Sequence, residues 1–243
     1  MPMGSDEAGR GPVLGPLVIC TLCCTDDSWM RDVGISDSKA LTKDKRQGLV
    51  GSIQERCTYS ILEIPAEAID RARTKMTMNR LEVIGFASTI TSLVNCESSI
   101  HPELDRTCKM ELVGGEDSGG PVYLDAADVN EDRFGSEVLN SIRQMDPSLD
   151  LEIVSKHKSD RDIPVVGAAS ILAKVRRDRR MVEISELMAT EVGSGYPGDP
   201  NTQRFIMDWV KRKGELPPFT RNSWETAKRA LIWRTQRTLD IFS

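Results

Sequence analysis

The sequence predicts an α/β fold, with a central mixed sheet flanked by helices and a helical extension at the C-terminal end. Short apolar and β-branched runs of strand length alternate with longer stretches whose apolar residues recur at helical spacing. The first strands follow one another directly, whereas helices separate the later ones, which favours a mixed sheet. A chain of 243 residues can bury such a core as one domain with an appendage.

The strands are predicted from apolar or β-branched runs that end at turn residues or prolines. The first strand is short and delivers Asp6 and Glu7 to its end. Five strands are expected in all, at residues 3–5, 17–24, 58–64, 122–124 and 151–155.

Helices are predicted from capping residues and from the spacing of apolar side chains. They are expected at residues 42–56, 79–94 and 165–190, with a short one near residue 66 and further helices beyond residue 197. Residues 96–121 lack periodicity, and the glycine-rich part at 114–121 indicates a flexible loop.

Three of the six cysteines lie in the predicted strand at 17–24. Strand alternation sends Cys23 to the opposite face from Cys20 and Cys24. No second Cys/His pair follows at the spacing of a zinc site, so buried reduced thiols are the better interpretation.

The net charge of −5 argues against a non-specific nucleic-acid binder, although it leaves room for a local basic face. No stretch is apolar for long enough to span a bilayer, and no signal-peptide pattern is seen at the N-terminus. We therefore expect a cytosolic protein without a membrane partner.

Two adjacent carboxylates, Asp6 and Glu7, lie beside a Gly-Arg-Gly turn within the stretch Gly4 to Pro12. Acidic side chains next to a glycine turn can hold a hard cation, while backbone N–H groups meet an anion. A polar hairpin loop between two strands fits the same pattern equally well.

Carboxylates recur after later strands, at Asp125 and at Asp160. Taken singly, each is as well explained as an ordinary turn acid. However, loops at one edge of a helix-flanked sheet gather residues that are distant in sequence. Four converging carboxylates repel one another unless cations intervene, and two divalent ions balance four charges. Such a two-metal site activates water and stabilises the leaving oxygen of a phosphodiester, and oxygen ligands favour Mg²⁺ or Mn²⁺.

Six motifs occur in order over nearly the whole chain. They are Asp6 to Pro12, Asp37-Ser38-Lys39, Tyr123 to Val129, His157 to Asp160, Ala168 to Lys174 and Gly195-Tyr196-Pro197. With these motifs the sequence resembles ribonuclease HII, in particular its archaeal branch. No single motif is specific, whereas the ordered set is.

The resemblance implies an RNase H-like fold with a five-stranded mixed sheet. It implies a catalytic domain at residues 1–195, a helical extension at 196–235 and a tail at 236–243. It also implies a monomer that hydrolyses the RNA strand of RNA–DNA hybrids and cuts 5′ of single ribonucleotides in duplex DNA, as in ribonucleotide excision repair. The catalytic metal ligands implied for two Mg²⁺ or Mn²⁺ ions are Asp6, Glu7, Asp125 and Asp160.

The resemblance further implies that the backbone of Gly9-Arg10-Gly11 reads the ribose 2′-OH, the group that distinguishes RNA from DNA. It implies that Tyr196 stacks on the sugar after the ribonucleotide, with local packing of this aromatic ring as the alternative. Lys39, Ser170 and Lys174 resemble family positions that contact phosphates, and Ser170 and Lys174 are four residues apart on the predicted long helix, so they share a face. Asn79 is a weaker match to a DNA contact.

Three alternatives remain to be weighed against a ribonuclease HII. A ribonuclease HIII prefers long hybrids, but it carries an N-terminal DNA-binding domain, whereas this sequence begins at the catalytic motif. A non-catalytic hybrid-binding or clamp-docking module has no need of four matched carboxylates. A phosphate-binding loop at Gly9 to Gly15 is excluded, because the spacing of the glycines fits neither the dinucleotide-binding pattern nor the P-loop pattern.

The C-terminal residues resemble the peptide by which replication proteins dock on the sliding clamp PCNA. Gln236, Leu239 and Phe242 are spaced so that one helical turn presents two apolar anchors and a rim amide. Ser243 occupies the position of a usual second aromatic, which is expected to weaken binding. Alternatively, Leu239 and Phe242 pack back on the C-terminal helices.

Overall fold

The computed structural model describes residues 1–35, 42–115 and 120–241, and for residues 234–241 it describes the helical backbone alone. The described strands are β1 Met3–Ala8, β2 Leu17–Cys24, β3 Cys57–Ile64, β4 Lys109–Val113, β5 Val122–Asp125 and β6 Ile153–Lys156. The described helices are α1 Ser28–Asp32, α2 Lys43–Arg56, α3 Ala66–Arg73, α4 Met78–Val94, α5 Glu131–Met145, α6 Ser159–Asp162, α7 Pro164–Leu187, α8 Pro200–Lys213 and α9 Glu225–Ile241.

The strands form one mixed sheet in the order β4-β3-β2-β1-β5-β6. The pairs of β1 with β2, β2 with β3, and β3 with β4 are antiparallel. In contrast, β1 pairs parallel with β5, and β5 pairs parallel with β6. The predicted α/β class with a mixed sheet flanked by helices is therefore confirmed.

Alternation along β2 divides the interior into two apolar layers. Ile19 and Cys23 belong to a cluster built with α4 and α5, whereas Cys20 and Cys24 belong to a cluster built with α7. The predicted division of the three thiols between the two faces is confirmed. All six cysteines lie among the described residues, and none forms a disulfide.

The sheet has six described strands, so the expected number of five is wrong. The additional strand is β4, which occupies part of the segment 96–121 that we expected to be irregular and pairs with β3 at the sheet edge. Its five residues are exposed or half-buried and carry no clear apolar alternation. Pairing with β3, and not a local sequence pattern, therefore makes this segment a strand. Residues 116–119 of the predicted flexible loop lie outside the described part.

A third apolar cluster joins the C-terminal helices to the beginning of the chain. Val13 and Leu14 pack there with Phe205, Ile206 and Val210. Helix α9 runs to Ile241, so the backbone of residues 236–241 is helical. Within residues 1–35, 42–115 and 120–241, no helix is both long and apolar enough to cross a bilayer.

Helix α7 lies directly on β1, and Gly4 makes this approach possible. A Cβ at Gly4 would overlap the backbone carbonyl group of Val165, which cannot move without displacing the helix. The central strand and α7 are thereby held at a fixed separation, and both carry residues of the carboxylate site described below.

We predict that Gly4→Ala lowers the free energy of unfolding by about 1–3 kcal/mol, because overpacking forces the backbone apart. The measurement is urea-induced unfolding followed by circular dichroism. Gly48→Ala is the matched control, since a Cβ there meets nothing within 4 Å in the interior of α2. This control is expected to stabilise the protein by about 0.5–1 kcal/mol. Equal stability of Gly4→Ala and the parent protein would contradict the packing argument.

Candidate active site

Three carboxylates converge at one edge of the sheet. Asp6 lies in β1 and Asp125 ends β5, and these strands are parallel neighbours. Asp160 lies in α6, the short helix after β6. One ligand oxygen from each of the three residues lies within 4.8 Å of the other two. Asp6 and Asp160 are buried, and Asp125 is half-buried.

Glu7 projects from the other face of β1. Asp6 is paired with Cys20, which faces α7, whereas Glu7 is paired with Ile19, which faces α4. Residues directly opposite on paired strands share a face. Among the described residues, the close group of three does not include Glu7. Its charge is nevertheless coupled to that of Asp125, which raises the pKa of Glu7 after the larger effect of burial.

The carboxylates are electrostatically unfavourable without a cation. Burial is the main cause that raises the pKa of Asp6 well above its ordinary value, and the adjacent negative charge of Glu7 raises it further. Buried oxygen donors that repel one another suit a hard divalent cation such as Mg²⁺ or Mn²⁺. The donor set contains only oxygen and is poorly suited to metals that prefer nitrogen or sulfur.

Backbone and side-chain donors fix the carboxylates from the loops. The backbone N–H of Ser159 donates to Oδ1 of Asp125 at 3.1 Å, and the Ser159 hydroxyl donates to the carbonyl of Lys156 at 2.9 Å. Lys158 adopts a left-handed conformation, with φ of 62°, immediately before α6. This turn brings the Asp160 helix back over the end of β5.

Ser170 and Lys174 lie one turn apart on α7, as their spacing predicted. The Lys174 ammonium donates to the Ser170 hydroxyl at 2.5 Å and lies 4.0 Å from Oδ2 of Asp160. Ser170 is buried and its hydroxyl also lowers the pKa of Asp6, as does the charge of Lys174. The pair therefore supplies one positive charge beside the carboxylate group, with Ser170 orienting the lysine.

The Gly-Arg-Gly turn presents its backbone, not the Arg10 side chain, to the site. Gly9 has a φ of +97°, and a Cβ there would lie 2.5 Å from the carbonyl oxygen of Pro16. The Arg10 guanidinium is turned inward, where it pairs with buried Glu82 and donates to Oδ1 of Asn79 at 2.6 Å. With the arginine turned inward, the backbone of Gly11 is exposed at the turn, whereas Gly9 is buried.

Asn79 is tied into the same internal network. It accepts from Arg10 and donates from Nδ2 to Asp128 at 2.9 Å. Asp128 in turn accepts from Arg133, which, together with other hydrogen bonds, lowers the pKa of Asp128 to about 2. The structure thus gives the Asn79 amide two partners within the protein.

A cleft of about 420 Å³ opens beside Glu7 and Lys174. Tyr196 is 44% exposed, and its ring lies over the guanidinium of Arg177, 4.9 Å from Cζ to the ring centroid. Arg177 also donates to the carbonyl of Ser194, which fixes the start of the Tyr196 turn. The lining residues of the cleft are Glu7, Ala8, Gly9, Arg10, Gly11, Arg46, Lys174, Arg177, Asp178 and Tyr196.

The sequence model of the family described as ribonuclease HII matches residues 3–110 and 116–227. The chain belongs to the ribonuclease HII family. A ribonuclease HII of Methanococcoides burtonii is 35% identical over 231 residues, which cover 93% of this chain and 97% of the relative. As a family member, the protein is a metal-dependent ribonuclease H and a hydrolase.

Solved structures agree with the family and with its RNase H-like fold. The crystal structure of ribonuclease H2 from Pyrococcus horikoshii OT3 is similar, with a TM-score of 0.78 and 32% identity, covering 96% of this chain and 97% of that one. The structure of the PCNA:RNase HII complex from Archaeoglobus fulgidus gives a TM-score of 0.76 and 29% identity, with coverage of 95% and 96%.

Some residues predicted for a ribonuclease HII lie outside the description. Lys39 falls in 36–41 and Phe242 in 242–243, and the side chains of Gln236 and Leu239 are not described.

Other residues at the site were missed from sequence. Glu82 could have been found, because it lies three residues after Asn79 on one helix face. Arg177 gave no signal, because a basic residue in a helical arginine cluster is usually solvated.

We predict that Asp6→Asn stabilises the metal-free ribonuclease at pH 8. The pKa of Asp6 is raised above its ordinary value of 3.8 in the folded state, so ionisation opposes folding. This penalty is absent well below pH 3.8 and grows as the pH rises toward the folded-state pKa. Urea unfolding in EDTA should therefore show a larger gain for Asp6→Asn at pH 8 than at pH 5.

The same variant tests the cation. Mn²⁺ at 100 times its dissociation constant is expected to stabilise the parent protein by about 2.7 kcal/mol, and the Asp6→Asn variant by less. Asp150→Asn is the control, because this side chain is 96% exposed and distant from the group of three acids. A parent protein that Mn²⁺ leaves unchanged would contradict the assignment of the site.

Proposed function

We propose that this ribonuclease hydrolyses the RNA strand of RNA–DNA hybrids and cuts on the 5′ side of a single ribonucleotide embedded in duplex DNA. The observation that carries the proposal is the meeting of Asp6, Asp125 and Asp160, next to which Glu7 and Lys174 line a cleft together with Gly9, Gly11 and Tyr196. A group of carboxylates provides for phosphodiester hydrolysis, and an adjacent glycine backbone provides for recognition of a ribose.

The residues proposed to hold two Mg²⁺ or Mn²⁺ ions during catalysis are Asp6, Glu7, Asp125 and Asp160. The chemistry that such ions supply when bound is activation of water and neutralisation of charge at the scissile phosphate, which leaves 3′-hydroxyl and 5′-phosphate ends. Burial of Asp6 and Asp160 keeps the carboxylates in a fixed arrangement and excludes competing water.

Lys174 supplies the positive charge that faces the substrate backbone. It is part-exposed, lines the cleft and is oriented by Ser170, so its ammonium can contact a phosphate next to the scissile bond. Lys39 and Asn79 are proposed as further contacts to the nucleic acid. For Asn79 this requires that the amide exchange a bond with Arg10 or Asp128 for one with the duplex.

Selectivity for a ribonucleotide is assigned to the Gly9–Gly11 backbone and to Tyr196. Main-chain groups can approach the 2′-OH closely where glycines carry no side chain. The half-exposed ring of Tyr196 is held by Arg177, and its exposed part is proposed to stack on the following sugar. A deoxyribose fits best there because it lacks the 2′-hydroxyl that would contact the Tyr196 ring.

The functional organisation proposed is a catalytic part at residues 1–195, a helical extension at 196–235 and a docking tail at 236–243. The protein is proposed to act as a monomer in the cytoplasm, in ribonucleotide excision repair and primer removal. None of the six cysteines, all of which lie among the described residues, forms a disulfide, which supports a reducing compartment.

We predict that the parent protein cuts an end-labelled DNA duplex containing one ribonucleotide immediately 5′ of that residue. Asp125→Asn should lower the rate at least about 100-fold while leaving the melting temperature within a few degrees, because it removes a charge without changing shape. Asp132→Asn, an exposed acid on α5, is the control and should retain the parent rate.

Mass analysis of the products separates the mechanisms. Water attack leaves a 3′-hydroxyl end, whereas attack by the 2′-OH would leave a cyclic phosphate. A cyclic phosphate product, or full activity of Asp125→Asn or of the parent in excess EDTA, would refute the proposal.

The tail at 236–243 is proposed to bind a PCNA-type sliding clamp. The similarity of the chain to the RNase HII in the PCNA complex of Archaeoglobus fulgidus supports this, as does the spacing of Gln236, Leu239 and Phe242. A helical backbone through Ile241 is compatible with the helical turn that such a peptide adopts.

We predict that calorimetry with the clamp of the same organism detects binding by the full chain and none by Phe242→Ala. Cleavage of free oligonucleotides should be equal for both proteins, because the tail does not take part in hydrolysis. If the parent does not bind at tens of micromolar, or if Phe242→Ala lowers the melting temperature markedly, the tail packs on its own domain instead.

A further inference from the structure

Arg221 is a buried cation that is bound by backbone carbonyls. Its side chain is 0% exposed, and Nε donates to the carbonyl of Gly15 at 3.0 Å. Its terminal nitrogens donate to the carbonyls of Arg10 at 3.1 Å and Gly9 at 2.7 Å. Within the described part of the chain, no carboxylate pairs with it at ion-pair distance. Burial of an arginine is costly, so these three carbonyls are what stabilises it there.

Trp224 completes this arrangement from the same segment. Its indole Nε1 donates to the carbonyl of Gly11 at 3.1 Å, and its ring lies 4.9 Å from Cζ of Arg221. The carbonyls of Gly9, Arg10 and Gly11 are thus all engaged by two side chains of the C-terminal extension. A third successive carbonyl bonded in this way leaves the turn little freedom to rotate.

Main-chain bonds hold the two segments in register. The N–H of Arg221 donates to the carbonyl of Val13 at 2.8 Å, and the N–H of Gly15 donates to the carbonyl of Phe219 at 2.9 Å. Leu14 and Thr220 form an antiparallel bridge between these bonds. The extension therefore docks on the turn through its backbone as well as through Arg221 and Trp224.

The direction of the carbonyls determines the direction of the N–H groups. In a trans peptide unit the C=O and the following N–H point to opposite sides. Because the carbonyls of Gly9 and Arg10 point to Arg221, the N–H groups of Arg10 and Gly11 point away from Arg221, and both residues line the cleft that also contains Tyr196. Without these bonds, a turn with two glycines would populate many other conformations.

We propose that Arg221 and Trp224 are positioning residues that hold the Gly9–Gly11 backbone in the orientation needed to recognise a ribose 2′-OH. The inference rests on the proposed function and extends it to a part of the chain remote from the carboxylates. Neither Arg221 nor Trp224 lines the cleft, and both act through the conformation of the turn. Their loss should reduce discrimination between ribose and deoxyribose more than it reduces general affinity for duplex.

The test compares Trp224→Phe with Trp209→Phe. Trp224→Phe keeps an aromatic ring over Arg221 and removes only the donor to Gly11. Trp209 lies in the same extension, but its indole N–H has no hydrogen-bond partner in the described structure, which makes it a matched control. Both changes are made in an Asp125→Asn background so that the duplex is not cut. Fluorescence anisotropy then gives the dissociation constants for a duplex with one ribonucleotide and for the all-DNA duplex of the same sequence.

The expected result is a fall of roughly fivefold in the ribose-to-deoxyribose binding ratio for Trp224→Phe, as for loss of one hydrogen bond, with no change for Trp209→Phe. Arg221→Lys, which keeps the charge but cannot reach three carbonyls in the same geometry, should lower the ratio further. A merely structural role would lower the melting temperature and leave the ratio unchanged.

Two other outcomes overturn the inference in distinguishable ways. If Trp224→Phe and Arg221→Lys keep the parent ratio, the extension does not position the turn, and the proposed function stands. If the parent itself binds both duplexes equally, ribose recognition fails, and the role of Arg221 and Trp224 fails with it.

Discussion

Mutual repulsion among buried carboxylates is the constraint on which the rest of this structure depends. Asp6, Asp125 and Asp160 are held together by a parallel strand pair and a tight turn, although burial and the adjacent charge of Glu7 oppose the ionisation of Asp6. The protein supplies only part of the compensation, chiefly Lys174 beside Asp160. Bound metal ions can offset the repulsion among the carboxylates further. Until such ions bind, the rigid layers around the site hold the carboxylates together.

That rigidity comes from the way in which α7 is fixed to the sheet. At one end Gly4 admits the helix into contact with β1. Further along, Arg180 donates to Glu63 of β3, and Arg176 pairs with Glu111 of β4. These half-buried ion pairs link the helix to two strands, so Arg176 and Arg180 have a structural use. Ser170 and Lys174 lie between the two attachments.

Structural features that depend on side-chain patterns could be predicted from the sequence, whereas features that depend on main-chain contacts could not. The convergence of carboxylates that follow different strands could be predicted from sequence, because sheet topology places the strand ends at one edge. Helix α5 was also open to prediction from the cap Asn130 and the apolar spacing of Phe134, Val138 and Ile142, although it was missing from the helices that we expected. The role of Arg221 was not open to prediction, since its partners are backbone carbonyls, which every residue possesses and no sequence pattern distinguishes.

The bond between Arg221 and Gly9 joins residues 212 positions apart, and this separation bears on how the protein is made. During synthesis the N-terminal turn leaves the ribosome long before its partner has been translated. The sheet and α7 can assemble in the meantime, but the turn must wait for almost the entire chain. Closing so long a loop adds little entropy beyond that of a shorter one, yet contacts of this range are formed late and slowly. A nascent chain can therefore gather its acidic residues before it completes the Gly9–Gly11 turn, because a segment translated late fixes one that was translated early.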